Sequence, residues 1–150
     1  MISVQKAPFD LGELHRRLTG ERTDIGAVAS FIGRARDFNE SPEVEALTLE
    51  HYPGMTEKAL SDIVAQARAR WPLEATLVVH RIGYLTPGDD IVAVLTASAH
   101  RQAAFDSCAF IMDYLKTRAP FWKKEHTRHG AYWVQARESD LTSLSRWEKT

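Results

Sequence analysis

Residues 98–125, SAHRQAAFDSCAFIMDYLKTRAPFWKKE, constrain this chain more than any other stretch, because a proline fixes where their helix must stop. Ser98 offers an N-cap. Ala103, Ala104, Phe105, Cys108, Ala109, Ile111, Met112 and Leu115 recur at three- and four-residue spacing, which predicts a core helix running up to Pro120. The chemistry lies at its two ends. His100 and Arg101 stand in the first turn, where the helix dipole favours anions and disfavours cations. Lys116 and Arg118 close the last turn; Phe121 and Trp122 then separate them from Lys123, Lys124 and Glu125. Cations at both ends, with aromatics among them, point to an anionic ligand that contains a ring.

A chain of 150 residues is expected to form one domain, residues 1–150, with a real hydrophobic core. The net charge of −1 means that any basic patch is local and offset by acid elsewhere, so the chain as a whole is not a polyanion binder. No apolar run approaches membrane-spanning length, and no basic-then-apolar leader opens the sequence; the expectation is a cytoplasmic protein with no membrane partner. One cysteine excludes an internal disulfide and a cysteine-based metal site.

In chain order, residues 1–4 read as a short strand and 9–18 as a short helix capped by Asp10. Residues 25–32 are an apolar strand ending in Gly33-Arg34-Ala35-Arg36 and a polar loop, 37–43. Alternation over 44–50 predicts a half-buried strand. Residues 55–71 are an amphipathic helix, with Thr56 as a candidate start and Pro72 as its stop. Residues 75–82 and 90–97 are strands around the turn Thr86-Pro87-Gly88-Asp89, with 83–85 continuing or bulging the first. A last strand over 131–136 and a short helix over 139–147 close the chain. The order β-α-β-β-α-β-β-α-β-α favours a single α+β domain, a mixed or antiparallel sheet with packed helices.

Among candidate chemistries, the six histidines lack the spacing and acidic company of a metal site; His126 and His129 read as surface residues. Cys108 falls in the apolar middle of the helix and reads as an inert buried thiol, so any sulfur the protein handles arrives from elsewhere. Lys116 follows the buried stripe, in line with Ala109 and Met112. Two readings stay open for it: an amine whose pKa is lowered by burial and by Arg118, Lys123 and Lys124, or a lysine snorkelling at a helix end. Fifteen residues separate Arg101 from Lys116, roughly 22 Å along one helix, so one small substrate cannot touch both ends of a single copy. A symmetric dimer with composite sites is the economical expectation.

The segments LEHYPGMTEKAL (Leu49 to Leu60), HRIGYLTPGD (His80 to Asp89), SAHR and MDYLKTRAPFWKKE resemble the large, catalytic subunits of molybdopterin synthase, the MoaE family, over about residues 26–140. The resemblance implies an α+β fold of the α/β-hammerhead type. The implied activity is a sulfurtransferase that installs the dithiolene of molybdopterin on cyclic pyranopterin monophosphate. Sulfur would come as a thiocarboxylate on the C-terminal Gly-Gly of a small ubiquitin-like, MoaD-like carrier subunit. A homodimer of the large subunit within a heterotetramer is also implied, and neither a cofactor nor a metal is called for. Carried over residue by residue, Lys116 and Lys123 match the catalytic lysines. Arg36, His100 and Arg101 match the pocket for the anionic end of the substrate. Arg34, Ala35, Lys124 and Glu125 match flanking contacts, and Arg137 a further basic residue at the pocket. The rival reading is a non-catalytic α+β module that grips nucleic acid or another anion through residues 116–129, with Phe121 and Trp122 stacking on bases. Near-neutral charge and the acidic neighbours Asp113 and Glu125 count against it, and no nucleic-acid partner is expected. A scaffold that merely docks a ubiquitin-like tail is a third.

Overall fold

A computed structural model describes residues 1–36, 44–134, 143–145, 147 and 148. The elements are β1 (Ile2–Gln5), α1 (Leu11–Thr19), β2 (Ala27–Arg34), β3 (Val44–His51), α2 (Met55–Arg70), β4 (Ala75–Arg81), β5 (Gly83–Leu85), β6 (Asp90–Ser98), α3 (Arg101–Arg118), β7 (Phe121–Thr127) and β8 (Gly130–Val134). They build two four-stranded sheets, ordered β1-β4-β6-β2 and β5-β3-β7-β8. The first is mixed, because β1 runs parallel to β4 while β4, β6 and β2 alternate in direction. The second is antiparallel throughout. The α+β expectation holds.

Covering on both faces explains why β4 and β6 read as continuous apolar runs. Val78, Val92 and Val94 face α2 and α3, packing against Leu60, Ile63, Val64, Cys108, Phe110 and Ile111. Leu77, Val79, Ala93 and Leu95 face the other way, onto Leu14 and Leu18 of α1. Asp10 caps α1 as expected, its carboxylate accepting from the Glu13 amide at 3.0 Å.

Several expectations need correcting. Ser98 is not the N-cap of α3; it is the buried last residue of β6, donating to the Pro72 carbonyl at 2.8 Å, and His100 is the cap. Strand pairing takes Ser98 first, because Ala27 of β2 lies opposite it in register. Phe105, placed in the core stripe, is 63% exposed, while Phe110 and Tyr114 are buried instead. Residues 83–85 neither continue nor bulge β4: Gly83 adopts φ 90°, and β5 crosses to the second sheet to pair with β3. Thr56 lies inside α2 rather than at its cap, which is Gly54. Residues after Pro120 form a full strand, β7, where the sequence showed only charge and aromatics. Of the C-terminal helix expected over 139–147, residues 143–145, 147 and 148 are helical and the rest lie outside the described residues.

Thr56 is fully buried and joins three elements. Its hydroxyl donates to the Pro120 carbonyl at 3.0 Å and accepts from the Tyr52 amide at 2.9 Å. Thr56→Val keeps the shape and orphans both partners. It should cost about 1–3 kcal/mol, seen as a lower urea midpoint at unchanged slope; an unmoved midpoint would show that the corner is held by packing alone.

Candidate active site

The direction of α3 decides which functional side chains can meet. Thr96 donates to the Ala104 carbonyl, and the Cys108 thiol points at the Val94 carbonyl, so the helix advances as the strand recedes. Helix α3 therefore lies antiparallel to β6. Lys116 ends up towards Asp90, and His100 and Arg101 stay by Ser98, at the far end of the nine-residue strand. Nine residues of strand span roughly 27 Å. Within one copy the two cationic ends stay apart, as the sequence spacing requires.

Arg34, Ala35 and Arg36 share the Lys116 end, because Arg34 pairs with Asp90 in the β2–β6 ladder. The β5–β6 turn holds them in place. Ala35 donates its amide to the Asp89 carbonyl at 2.8 Å and accepts from the Gly88 amide at 2.5 Å. Arg34 reaches over the same turn, with Nε 3.0 Å from Asp90 Oδ1 and an Nη donating to the Gly88 carbonyl at 2.7 Å. The turn is itself ordered by Asp89, whose carboxylate accepts from the Thr86 amide; that bond holds its pKa below the ordinary value. Arg34 thus braces the turn, and Arg36, exposed just beyond it, presents its guanidinium at the surface. His100 and Arg101 are both exposed, and His100 makes no side-chain capping bond to the first amides of α3. Gly26 faces this point: a Cβ there would collide with the Ala99 carbonyl oxygen, so only glycine lets the α3 N-terminus sit where it does.

Alternation in β7 separates the two neighbouring lysines. Phe121, Lys123 and Glu125 share one face with His51, Leu49 and Leu47 of β3. Trp122, Lys124 and His126 take the other. There Lys124 lies 4.6 Å from the Trp133 ring centroid, and His126 hydrogen-bonds Thr48 and contacts Tyr84. Lys123 and Glu125 are on the Phe121 side; Lys124 is not. Nor does Arg118 crowd Lys116, since its guanidinium sits over Tyr114 at 5.5 Å. Lys116 itself is exposed, with no hydrogen bond or ion pair among the described residues. Arg137 lies outside the described residues. Cys108 is buried, and desolvation pushes its thiol up to about 11, so it is no thiolate.

The group that sequence reasoning left without a role is His80. It ends the apolar run of β4, is 6% exposed, and stacks on Phe121 with ring centroids 3.8 Å apart and planes 18° from parallel. Its pKa is lowered to about 4, chiefly by burial and with a smaller part from Lys116 and His51, against a bond to the Arg81 carbonyl that raises it. A histidine closing a strand of valines was the signal available: a titratable ring at a buried position.

Comparison with known proteins gives a consistent picture. The MoaE protein family profile matches residues 4–118. The molybdopterin synthase catalytic subunit of Pseudomonas aeruginosa is 57% identical over 148 residues, covering 99% of each chain. In structure, the molybdopterin biosynthesis MoaE protein of Burkholderia ambifaria superposes with a TM-score of 0.86 at 51% identity, over 99% of this chain and 97% of that one. A complex of subunits 1 and 2 of molybdopterin-converting factor from Helicobacter pylori, at 17% identity, shares the fold with a TM-score of 0.76, over 91% of each chain.

The neutral His80 gives stability a pH dependence. The unfolded imidazole takes up a proton near 6.5, the folded one only near 4, so the unfolded state binds more protons between these values. The contribution is complete above pH 6.5 and is lost as pH falls towards 4, amounting to roughly 3 kcal/mol at most. Urea titrations from pH 7 to 4 should show wild type losing stability relative to His80→Phe as pH falls; a difference that stays constant would contradict burial of a neutral ring.

Proposed function

The chain belongs to the MoaE protein family and is a molybdopterin synthase catalytic subunit, a sulfurtransferase of molybdenum cofactor biosynthesis, and on that premise we propose how its residues share the work. The substrate is cyclic pyranopterin monophosphate. The sulfur donor is the C-terminal thiocarboxylate of a small ubiquitin-like carrier ending in Gly-Gly, a MoaD-like subunit. The family likeness of the segments around Lys116 and Lys123 supports both assignments.

Lys116 and Lys123 are the catalytic pair. Their placement on either side of the Pro120 corner is the observation that carries this reading: one lysine ends α3, the other projects from β7 on the Phe121 face. In each of two transfers the carrier's C–S bond breaks, a C–S bond forms on the pterin as a pterin C–O bond breaks and gives up its oxygen, and the carrier's acyl carbon takes up the oxygen of water to end as a carboxylate. A lysine amine beside the carbonyl serves that exchange as base or as nucleophile, and an ammonium offsets the charge that develops. The sulfur comes with the carrier, so the buried Cys108 has no part.

His100, Arg101 and Arg36 bind the anionic end of the substrate. A helix N-terminus without a side-chain cap, flanked by exposed cations, suits a cyclic phosphate. Arg34 and Ala35 shape the Arg36 side, at the Lys116 end, through the β5–β6 turn, Glu125 flanks Lys123, and Arg137 adds a further cation. Lys124 belongs to the rim rather than to the Lys123 face. Because α3 holds His100 and Arg101 far from Lys116 and Arg36, a working site takes His100 and Arg101 from one copy and the lysines, with Arg36, from another. The assembly is a homodimer with a carrier at each outer end. The sequence favours the cytoplasm as the place of work; no helix among the described residues is long and apolar enough to cross a membrane.

With thiocarboxylated carrier and cyclic pyranopterin, Lys116→Ala should lower dithiolene formation by about 10²-fold or more, while carrier binding stays within a few-fold of wild type. Product formation by Lys116→Ala at the wild-type rate would remove Lys116 from the reaction. Loss of carrier binding in step with activity would make it a docking residue instead.

A further inference from the structure

His80 is a buried polar ring with half of its hydrogen-bonding capacity in use. In β4 it sits between Val4 of β1 and Val92 of β6, at the heart of the first sheet. Its Nδ1 lies 2.7 Å from the Arg81 carbonyl, which accepts and cannot donate, so Nδ1 carries the proton and Nε2 presents a lone pair. Among the described residues Nε2 has no partner. A free lone pair at the edge of a nearly buried ring favours a nearby donor on a flexible stem. Phe121, on which the ring stacks, follows directly from the last turn of α3, which carries Lys116, and lies opposite His51 of β3, so these two groups face the ring's surroundings. His51 faces the Glu57 carboxylate of α2 at 3.8 Å, and Arg81 donates to the Lys6 and Asp90 carbonyls. Lys116 is the long, unpartnered donor.

We infer that His80 is a positioning residue for Lys116: its Nε2 lone pair accepts an N–H of the lysine ammonium and sets where the amine stands against the Phe121 corner. The Phe121 stack and the Arg81 bond fix the ring in orientation and tautomer, so the acceptor is preorganised. The ring is a weak base in this setting, so it accepts the hydrogen bond without taking the proton from the amine. The inference rests on the proposed role of Lys116 for its meaning in catalysis, but its test does not.

Two measurements on the purified protein decide it. Competitive acetylation with acetic anhydride across pH, read by mass spectrometry, gives the titration midpoint of Lys116, with the exposed Lys58 as internal reference. His80→Phe keeps a ring on Phe121 and removes the acceptor. The Lys116 midpoint should fall by about half a unit or more, near a threefold change in labelling at a fixed pH below it, with Lys58 unmoved. His80→Gln, which returns an acceptor oxygen, should restore it. An unchanged Lys116 midpoint in folded His80→Phe would overturn the inference. Should that variant not fold, imidazole nitrogen NMR of the wild type against Lys116→Ala gives the answer: the Nε2 resonance of His80 should shift while Nδ1 stays protonated, and an unmoved Nε2 resonance would overturn it. Neither readout needs sulfur transfer, so failure here and failure of the proposed activity are told apart.

Discussion

Helix α3 is the rod against which the rest of the molecule is set. Its apolar side is locked onto β6 and β2, and its eighteen residues cannot shorten or bend without breaking that packing. A rise of about 1.5 Å per residue then fixes the separation of the cations at its two ends. The antiparallel course along β6 passes this constraint to the sheet: Arg34 and Arg36 share the Lys116 end through the β2–β6 ladder, and His100 and Arg101 are left at the other. The electrostatics of the surface follow from a packing decision made in the core.

The second sheet hangs from the end of that rod. Pro120 cannot continue the helix, and the chain turns straight into β7, which pairs along the length of β3. Two buried polar residues from other elements hold the turn. Thr56 bonds the Pro120 carbonyl from α2, and His80 stacks on Phe121 from β4. Buried polar groups cost free energy unless paired, so they specify position more sharply than another leucine would. Lys116 and Lys123 flank this corner, and its rigidity is what places two flexible side chains in a definite relation.

Much of this was legible in the sequence, for physical reasons that differ by element. The periodicity of α2 and the capping chemistry of Asp10 are local signals, and both were read correctly. Burial on both faces made β4 and β6 plain as apolar runs. The long-range facts were hidden. Ser98 looks like an N-cap until its pairing opposite Ala27 is known, and Phe105 keeps helical spacing yet lies outside the covered arc. Strand β7 was masked because its alternation puts a lysine on each face, which reads as undifferentiated charge. The same alternation separates Lys123 from Lys124, a distinction that a motif cannot make. Family likeness supplied the candidate lysines and arginines; the part played by His80 needed the fold, since nothing in HRIGYLTPGD says that the ring stacks on Phe121 forty-one residues later.

A site divided between copies is the central proposal, and subunit mixing tests it most directly. A variant lacking His100 and Arg101, both changed to alanine, and the Lys116→Ala variant should each be inactive alone. Dissociated, mixed and reassembled, they form hybrid dimers in which one site carries both defects and the other none. The account predicts that the mixture recovers roughly a quarter of wild-type dithiolene synthesis. A mixture that forms hybrid dimers and remains as inactive as its parents would place the phosphate-binding end and the lysines of each site on the same chain, and would contradict it.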